Sequence, residues 1–425
     1  MRNIKPLLFC VLLLIPYASW SEESTDSRAE GWQQMRQKKI SDVTPEKPSK
    51  MESLMLRFEK QSFALGYKGF YPGFANLSTG SGLAPSLRYW QPRLFGTSLD
   101  FQASAAYSLK SYQLYTVQFG KILQSIPERL VGETGSGGLG VFRGVRRSDT
   151  EFFLYADLKY LNFPEEDFFG LGPGSDEENR SDYLFDSTSY DGVVGVKLSD
   201  STVFALRAGY LQTDVGSGAD SRFQNVEDVF DESEAPGLNE EIDFIRTSSI
   251  IFTDFRDTPG NPHKGVFLGF AHYYFDSRDQ LFDFQRYVVD ARGYLPLGSI
   301  QRVLALRFLT TLDDPKGGHN VPFYLQETLG GSGLLRGFRE FRFRDLNTLY
   351  LSAEYRWEAA PAWELAFFYD TGKVFSDRSD FNLKDLKDSY GIGMRFKLPD
   401  SVFMRFDAAR SDEGTRFYFT FNSSF

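Results

Sequence analysis

Apolar and polar side chains alternate, nearly position by position, through most of the chain from about residue 61 onward. In the last segment Phe417, Phe419, Phe421 and Phe425 fall on one side, and the residues between them carry polar groups. A β-strand points successive side chains to opposite faces, so this alternation predicts strands with one apolar and one polar face. The two faces of each strand must therefore meet different surroundings.

The length of the alternating segments indicates which surroundings these are. Leu349–Glu358, Trp363–Phe375 and Tyr183–Leu198 each span 10 residues or more, whereas strands of soluble proteins cluster near 5–6 residues. Their polar sides carry charges of both signs, which suits a water-filled interior. Long alternating segments separated by turns are typical of an outer-membrane barrel rather than of a soluble β-sandwich.

Sixteen such segments can be delimited. They lie near residues 61–71, 82–93, 97–108, 111–121, 150–163, 182–198, 201–213, 241–256, 264–277, 281–296, 300–313, 346–358, 362–375, 387–398, 401–411 and 415–425. The links at 164–181, 214–240 and 314–345 are long, and most others are short, as in barrels with long loops at one end. The link 122–149 is an exception, because it is long where a short turn is due. We predict an all-β fold, a sixteen-stranded antiparallel transmembrane β-barrel over 61–425 with a long inward loop at 314–345.

A closed barrel also accounts for the composition. The chain has 42 Phe, 22 Tyr and 5 Trp among 425 residues, yet 24% of its residues are charged. In lipid every backbone N–H and C=O must be paired within the protein, so strands span a membrane only when the sheet closes. Aromatic rings then gather at the two membrane interfaces while the charges face the lumen.

The N-terminal residues predict export. Arg2 and Lys5 precede an apolar run that ends in small residues before Glu22, the layout of a secretory signal peptide over 1–21. Residues 22–60 are polar and poor in aromatics, and we interpret them as a short periplasmic arm. The single cysteine, Cys10, lies within the signal, so we expect no disulfide framework.

Several chemistries find no support in the sequence. A net charge of −10 argues against nucleic-acid binding, which needs clustered Lys and Arg. The three histidines, His263, His272 and His319, lack metal-ligand spacing, so we expect no metal site. The stretch 135–140 matches G-x-G-x-x-G without a strand–helix context, which favours a flexible link over a cofactor site. We expect neither a cofactor nor catalytic residues.

Three ordered motifs resemble those of a known family. Residues 330–338, Gly-Gly-Ser-Gly-Leu-Leu-Arg-Gly-Phe, resemble the loop-six motif of the BamA/TamA, or bacterial surface antigen, superfamily of outer-membrane barrels. Residues 368–372 resemble that family's Phe-x-Asp-x-Gly motif, and Glu354 stands where the family has a lumen-facing Glu. Residues 254–262 and 168–173 give further matches. The resemblance covers about 61–425 and implies localisation to the outer membrane of a Gram-negative bacterium.

The alternation gives these motif residues a common direction. Leu349, Leu351, Ala353, Tyr355 and Trp357 share the apolar face of one strand, which turns Glu354 into the lumen. Trp363, Leu365, Phe367 and Tyr369 do the same in the next strand, which turns Phe368, Asp370 and Gly372 inward. A guanidinium can bind between two such carboxylates. We therefore predict a loop latch in which Arg336, followed by Gly337 and packed by Phe338, pairs with Glu354 and Asp370.

The resemblance also implies a function and its limits. We expect a non-enzymatic protein of membrane biogenesis or of protein or lipid translocation, which acts at a seam between Ser62–Tyr71 and Thr415–Phe425. The C-terminal rings Phe417, Phe419, Phe421 and Phe425 are the expected assembly signal. Because 22–60 is too short for one periplasmic recruiting domain, the chain resembles a barrel-only member. Expected partners are outer-membrane lipids and lipopolysaccharide, with a periplasmic partner or a second copy. The alternative is a passive pore plugged by its own loop.

Overall fold

A computed structural model describes residues 69–75, 77–78, 80–123, 130, 151–278, 281–360, 362–398 and 401–421. The predicted signal peptide, the arm 22–60, the G-x-G-x-x-G stretch and Phe425 lie outside these ranges. Within them, no helix is both long enough and apolar enough to cross a membrane.

Sixteen strands make up the wall of the barrel. They are β1 Gly69–Ala75, β2 Ala84–Gln91, β3 Asp100–Tyr107, β4 Gln113–Lys121, β5 Phe152–Phe168, β6 Ser181–Lys197, β7 Thr202–Ser217, β8 Ile242–Asp254, β9 Gly265–Asp276, β10 Phe284–Pro296, β11 Arg302–Pro315, β12 Asn347–Ala360, β13 Trp363–Phe375, β14 Lys387–Leu398, β15 Ser401–Ser411 and β16 Gly414–Phe421. Each pairs antiparallel with the next along the chain. The predicted sixteen-stranded antiparallel barrel is thus confirmed, and it is nearly closed.

The other elements of the described residues are short and lie in the connections. The strands are Gln224–Asn225, Glu327–Leu329 and Phe343–Asp345; the 3-10 helices are Leu94–Gly96, Glu177–Asn179, Phe323–Leu325 and Arg378–Asp380; the α-helix is Val226–Val229. None of these elements contributes a full-length strand to the wall.

The boundaries of β1, β5 and β7 differ clearly from prediction, and β7 ends at Ser217 rather than at 213. The first strand is described at 69–75 rather than 61–71, and residues 61–68 lie outside the described ranges. β5 continues to Phe168, five residues beyond its predicted end at 163, because a register shift between Phe163 and Glu166 lets pairing with β6 resume. Such a bulge breaks the period-two pattern without ending the strand.

The long connections 169–180, 218–241 and 316–346 all lie at one end of the barrel, which we call the loop end. The other end, the turn end, has short connections except for 122–151. Leu130, a described residue of that link, is buried and accepts a hydrogen bond on its carbonyl from the Tyr273 hydroxyl. A side chain at Gly269 would collide with Leu130, 2.6 Å away. Leu130 therefore lies inside the lumen.

The wall has an apolar outside and a polar inside, as alternation requires. On β16 Phe417 and Phe419 point outward and are 81% and 45% exposed, while Tyr418 and Thr420 point inward and are buried. Charged side chains are buried in the lumen along many strands. The opposing faces of each strand thus meet lipid and a packed polar interior.

The first and last strands come together at a seam. β16 pairs with β15 through Met404–Ser411, and no strand pairing joins it to β1 within 69–75 and 414–421. Contact across the seam is made by Phe74 and Phe421, whose rings stack with centroids 4.8 Å apart.

Candidate functional site

The loop between β11 and β12, residues 316–346, folds back into the lumen. Its two short strands, Glu327–Leu329 and Phe343–Asp345, pair antiparallel, and most residues between them are buried. The backbone N–H of Gly330 donates to the carbonyl of Leu334, 3.1 Å away, which tightens the turn before Arg336. We call this segment the lumen loop.

Arg336 lies at the tip of the lumen loop and binds two carboxylates of the wall. Its Nε and Nη2 donate to the two oxygens of Asp370 on β13 at 2.7 and 2.9 Å, and its backbone N–H donates to the same carboxylate at 3.2 Å. Nη1 donates to Oε2 of Glu354 on β12 at 3.1 Å. All three residues are buried. The structure thus places these three predicted residues in direct contact.

The wall residues around this guanidinium form a binding site that we call the seat. Phe368 and Ser352 shape it. Phe368 on β13 lies beneath it, with the guanidinium carbon 3.4 Å from the ring centroid, a cation–π contact. The Ser352 hydroxyl donates to Asp370 at 2.6 Å. Because the alternation of β13 turns Phe368 and Asp370 to the same face, the strand presents ring and carboxylate together.

The seat belongs to a wider buried network of opposite charges. Its cations are Arg336, Arg356, Arg395 and Arg405, and its anions are Glu354, Glu364, Asp370 and Asp407. Four positive and four negative groups balance, which buried charges require because an unpaired charge in a low-dielectric interior is very costly. Arg356 and Arg395 both donate to Glu354, at 2.7 and 2.6 Å.

Asp407 on β15 is a third carboxylate at the seat. Its Oδ2 lies 3.6 Å from Arg336 Nη1 and 2.8 Å from Arg405 Nε. Arg405 in turn donates to the carbonyl of Ser332 in the lumen loop at 2.6 Å. Asp407 and Arg405 share the inward face of β15, so the alternation identified their direction but not their contact with the loop.

The next two residues of the motif attach to the last strands through their backbone. The N–H of Gly337 donates to the Tyr418 hydroxyl at 2.9 Å, and that hydroxyl donates to the carbonyl of Phe338 at 2.7 Å. The Ser411 hydroxyl donates to the carbonyl of Gly337 at 2.9 Å. The Phe338 ring is fully buried and packs edge-on against Phe343, with centroids 5.1 Å apart.

Glycines make room for this close approach. Gly337 has φ +101°, and a Cβ there would lie 3.0 Å from Ser389 Cβ and 3.3 Å from Ser411 Cβ. At Gly372, the last predicted member of the site, a Cβ would lie 2.6 Å from the carbonyl oxygen of Leu349 and 3.1 Å from Leu329 of the lumen loop. Gly372 therefore contributes space rather than a contact.

Further anchors hold the lumen loop against the opposite wall. Phe323 packs on Phe168 and Tyr183, with ring centroids 4.9 and 5.1 Å apart. Arg344 donates to the Tyr183 hydroxyl and to the Phe323 carbonyl at 2.9 and 2.8 Å. The motif at 168–173 takes part as well, because the Gly172 N–H donates to the Arg344 carbonyl at 2.8 Å. The loop therefore bridges the lumen from β5 and β6 to β12–β16.

The motif at 254–262 lies elsewhere, at the turn end. Arg256 pairs with Asp254 at 2.8 Å, and Asp257 accepts the backbone N–H groups of Thr258, His263 and Lys264. Although partial burial opposes ionisation, these hydrogen bonds lower the pKa of Asp257. The arrangement orders the turn and does not touch the lumen loop.

Sequence reasoning missed Asp407, Tyr418 and Ser411, because the inward face of β14–β16 offers several polar residues and only the fold selects those beneath the loop. Within the described part of the chain, no group of three or more His, Cys, Asp and Glu lies where it could hold a metal ion. The arrangement is suited to holding a loop in place by charge and packing.

Comparison with known proteins agrees with the barrel fold. A family model described as the Omp85 superfamily domain matches residues 75–425. Among solved structures, BamA from Haemophilus ducreyi lacking POTRA domains 1–3 is similar in fold, with a TM-score of 0.56 and 14% identity over 87% of this chain and 77% of that chain. CdiB from Escherichia coli has a TM-score of 0.49 and 13% identity, over 82% of this chain and 61% of that chain.

The comparison with curated proteins finds no match. The family model, in contrast, covers most of the chain, including the lumen loop and both strands of its seat. The chain therefore belongs to the Omp85 superfamily and, as predicted, is an outer-membrane protein of a Gram-negative bacterium.

Proposed function

We propose that this barrel acts in membrane biogenesis or in translocating a protein or lipid, and that the lumen loop is a latch which stabilises its closed state. The observation that carries the proposal is the seat of Arg336, which donates to Asp370 and Glu354 in the interior of the barrel. It is supported by membership of the Omp85 superfamily and by the likeness in fold to BamA.

The energetics of the seat support a latch that has two states. A buried ion pair gains little net energy over an apolar contact, but removing one partner costs about 3–5 kcal/mol because a buried charge is left uncompensated. When Arg336 leaves, water or another partner must therefore take its place at the two carboxylates. Intermediate positions of the loop, in which the charges are unpaired, are disfavoured. A loop held in this way is either seated or released.

The seam is the proposed exit for cargo. The rings of Phe74 on β1 and Phe421 on β16 stack across the seam. Ring stacking contributes about 0.5–1.5 kcal/mol beyond its buried area. We propose that outer-membrane lipids and lipopolysaccharide meet the barrel here, and that a periplasmic partner recruits the cargo or identical barrels associate.

Depletion of the protein in its native host tests the role in biogenesis. We expect altered levels of other barrels or of surface lipids, restored by the wild-type chain and not by Arg336→Ala. Unaltered barrels and lipids after depletion would refute the role. Crosslinking through residues 22–60 in intact cells would then identify the partner.

Planar-bilayer conductance separates this proposal from a passive pore plugged by its own loop. We expect small currents from the wild type and larger currents from Arg336→Ala, because the seated loop crosses the lumen. Large steady currents from the wild type, unchanged by the substitution, would favour the passive pore.

A further inference from the structure

A cavity of about 700 Å³ lies at the loop end of the barrel, beside β14 and β15. One of its walls is Pro173 and Gly174, in the connection between β5 and β6. The other wall comes from the start of β14, the end of β15 and the residues next to them, and its polar members are Asp385, Lys387, Asp388, Tyr390, Arg410 and Asp412. The volume falls within the range of about 300–1,000 Å³ that is usual for small-molecule sites. We call this cavity the rim pocket.

The outward face of the β14–β15 pair changes from apolar to polar at the rim pocket. Ile392 lies opposite Ala408 on that face, and the next outward pair toward the loop end is Tyr390 opposite Arg410. Both members of this second pair are exposed, and side chains directly opposite each other on one face lie close together. A tyrosine beside a cation at the edge of the apolar band is typical of the membrane interface. The rim pocket therefore lies at the level of the lipid headgroups.

The two cations of the rim pocket have weak partners in the protein. Arg410 donates to a neutral group, the Thr415 hydroxyl, at 3.1 Å. Lys387 Nζ lies 3.7 Å from Asp412 Oδ2, and the two side chains are 36% and 64% exposed. An exposed pair at such a distance contributes little, because water and salt screen it. Both cations can therefore turn to an anionic group in the pocket.

The carboxylates of the rim pocket narrow the choice of ligand. Asp385, Asp388 and Asp412 give the pocket three negative charges against the two positive charges of Lys387 and Arg410. A bare phosphate ion would meet repulsion from these carboxylates. An ionised carboxylate only accepts hydrogen bonds, so its natural partners in a ligand are hydroxyl groups. A phosphorylated saccharide supplies both a phosphate for the cations and hydroxyls for the carboxylates.

One buried guanidinium of the lumen loop holds both walls of the rim pocket. Arg342 donates to the hydroxyl and to the carbonyl of Ser175, the neighbour of Gly174, at 2.9 and 2.8 Å. It also donates to Glu413, the neighbour of Asp412, at 2.6 Å. The pocket is thus formed before a ligand arrives, which lowers the cost of ordering the site on binding.

We propose that the rim pocket binds the phosphorylated saccharide headgroup of an anionic glycolipid of the outer leaflet. Arg410 and Lys387 bind the phosphate, to which the guanidinium can donate two parallel hydrogen bonds, and the carboxylates accept from sugar hydroxyls. The acyl chains lie along the apolar outward face beneath the pocket, beside Ile392 and Phe417, which are 58% and 81% exposed. The inference rests on the contact with outer-membrane lipids proposed above, and it assigns a headgroup site on β14 and β15.

Binding of fluorescently labelled lipopolysaccharide to the full chain, purified from outer membranes in detergent micelles, tests the site by fluorescence anisotropy. We expect Arg410→Gln and Lys387→Gln each to weaken binding about tenfold, since each removes a charged donor to phosphate. Lys384→Gln is the matched control, because Lys384 is an exposed cation of the same connection that does not line the pocket. That variant should bind as the parent does. Heat-modifiable migration verifies that each variant is folded.

Unlabelled competitors define the chemistry of the ligand. Lipopolysaccharide stripped of its phosphates, and inorganic phosphate alone, should each compete about tenfold less well than intact lipopolysaccharide, because each satisfies one half of the pocket. The deacylated phosphosaccharide should also compete less well, because it lacks the chains that lie on the apolar face. Equal competition by inorganic phosphate would overturn the saccharide assignment. Equal competition by the deacylated form would overturn the glycolipid and indicate a soluble phosphosaccharide.

The variants decide whether the rim pocket is the site. Parental affinity in both Arg410→Gln and Lys387→Gln would overturn the proposal. An equal loss of affinity in Lys384→Gln would overturn it too, because the effect would then reflect the net charge of the loop end. Failure of the proposed role in biogenesis shows separately, as normal levels of barrels and lipids after depletion, and leaves these affinities unchanged.

Discussion

Arg336 gives Asp370 three hydrogen bonds, one from its backbone N–H and two from its guanidinium. A loop residue whose main chain and side chain bind the same carboxylate is fixed in both position and direction. The guanidinium's parallel donors match the two carboxylate oxygens, a geometry that lysine cannot reproduce.

Arg336→Ala should destabilise the barrel by about 3–5 kcal/mol, because Asp370 and Glu354 would lose a buried partner. Arg336→Lys should recover only part of this loss, since an ammonium cannot bind both oxygens of Asp370 with two parallel donors. Heat-modifiable migration of the purified protein measures the change. Arg302→Ala, at an exposed position of β11, is the control, and an equal effect in both variants would contradict the assignment.

Asp407→Asn should also destabilise the folded barrel, by a similar order of about 3–5 kcal/mol, because Arg405 would lose a carboxylate 2.8 Å away. Urea unfolding in lipid vesicles, followed by tryptophan fluorescence, gives the difference. Asp388→Asn, on an exposed position of β14, should change little. If both variants unfold at the parental urea concentration, Asp407 is not part of the seat.

Gly337→Ala should unseat the loop tip. The residue has φ +101°, and the new Cβ would press on Ser389 and Ser411, so we expect a loss of about 1–3 kcal/mol from backbone strain alone. Gly333→Ala lies in the same loop, where a Cβ would meet nothing within 4 Å. Protease sensitivity of the loop in intact cells should rise for the first variant and not for the second.

Acid should weaken the ion pairs of Glu177, in the connection between β5 and β6, which accepts from Arg339 of the lumen loop at 2.8 Å and from Arg416 of β16 at 2.9 Å. Burial raises its pKa, but hydrogen bonds and charge from Arg339 and Arg416 outweigh that and leave the pKa below its ordinary value. The folded pKa is therefore depressed, so the contribution to stability is present above the unfolded value of about 4.3 and is lost as the pH falls through the folded pKa. The carboxylate is partly exposed, so solvent screens the effect.

The measurement for Glu177 compares heat stability of the wild type and Glu177→Gln between neutral and acidic pH. The wild type should be the more stable at neutral pH, and the difference should vanish in acid. Glu178→Gln, the exposed neighbour, should show no such difference. A gap between wild type and Glu177→Gln that persists unchanged in acid would rule out the carboxylate as its source.

Much of the wall was predictable from period-two alternation alone. It gave the number of strands, their direction and the inward facing of Glu354, Phe368 and Asp370, because each strand of a barrel has one lipid face and one lumen face. It failed locally where the pattern is interrupted, as at the bulge between Phe163 and Glu166 in β5. It gave no reason for the long link at 122–149, part of which, Leu130, packs inside the lumen.

The sequence by itself determined a sixteen-stranded barrel and the polarity of each strand's two faces, since both follow from local periodicity and chain length. Only the tertiary structure decided which inward residues meet the lumen loop. Asp407 and Tyr418 lie 71 and 82 positions after Arg336 in the chain, and curvature of the closed wall brings them to the loop tip. Contacts across a lumen depend on the path of a loop with no regular period, so no pattern along one strand can specify them.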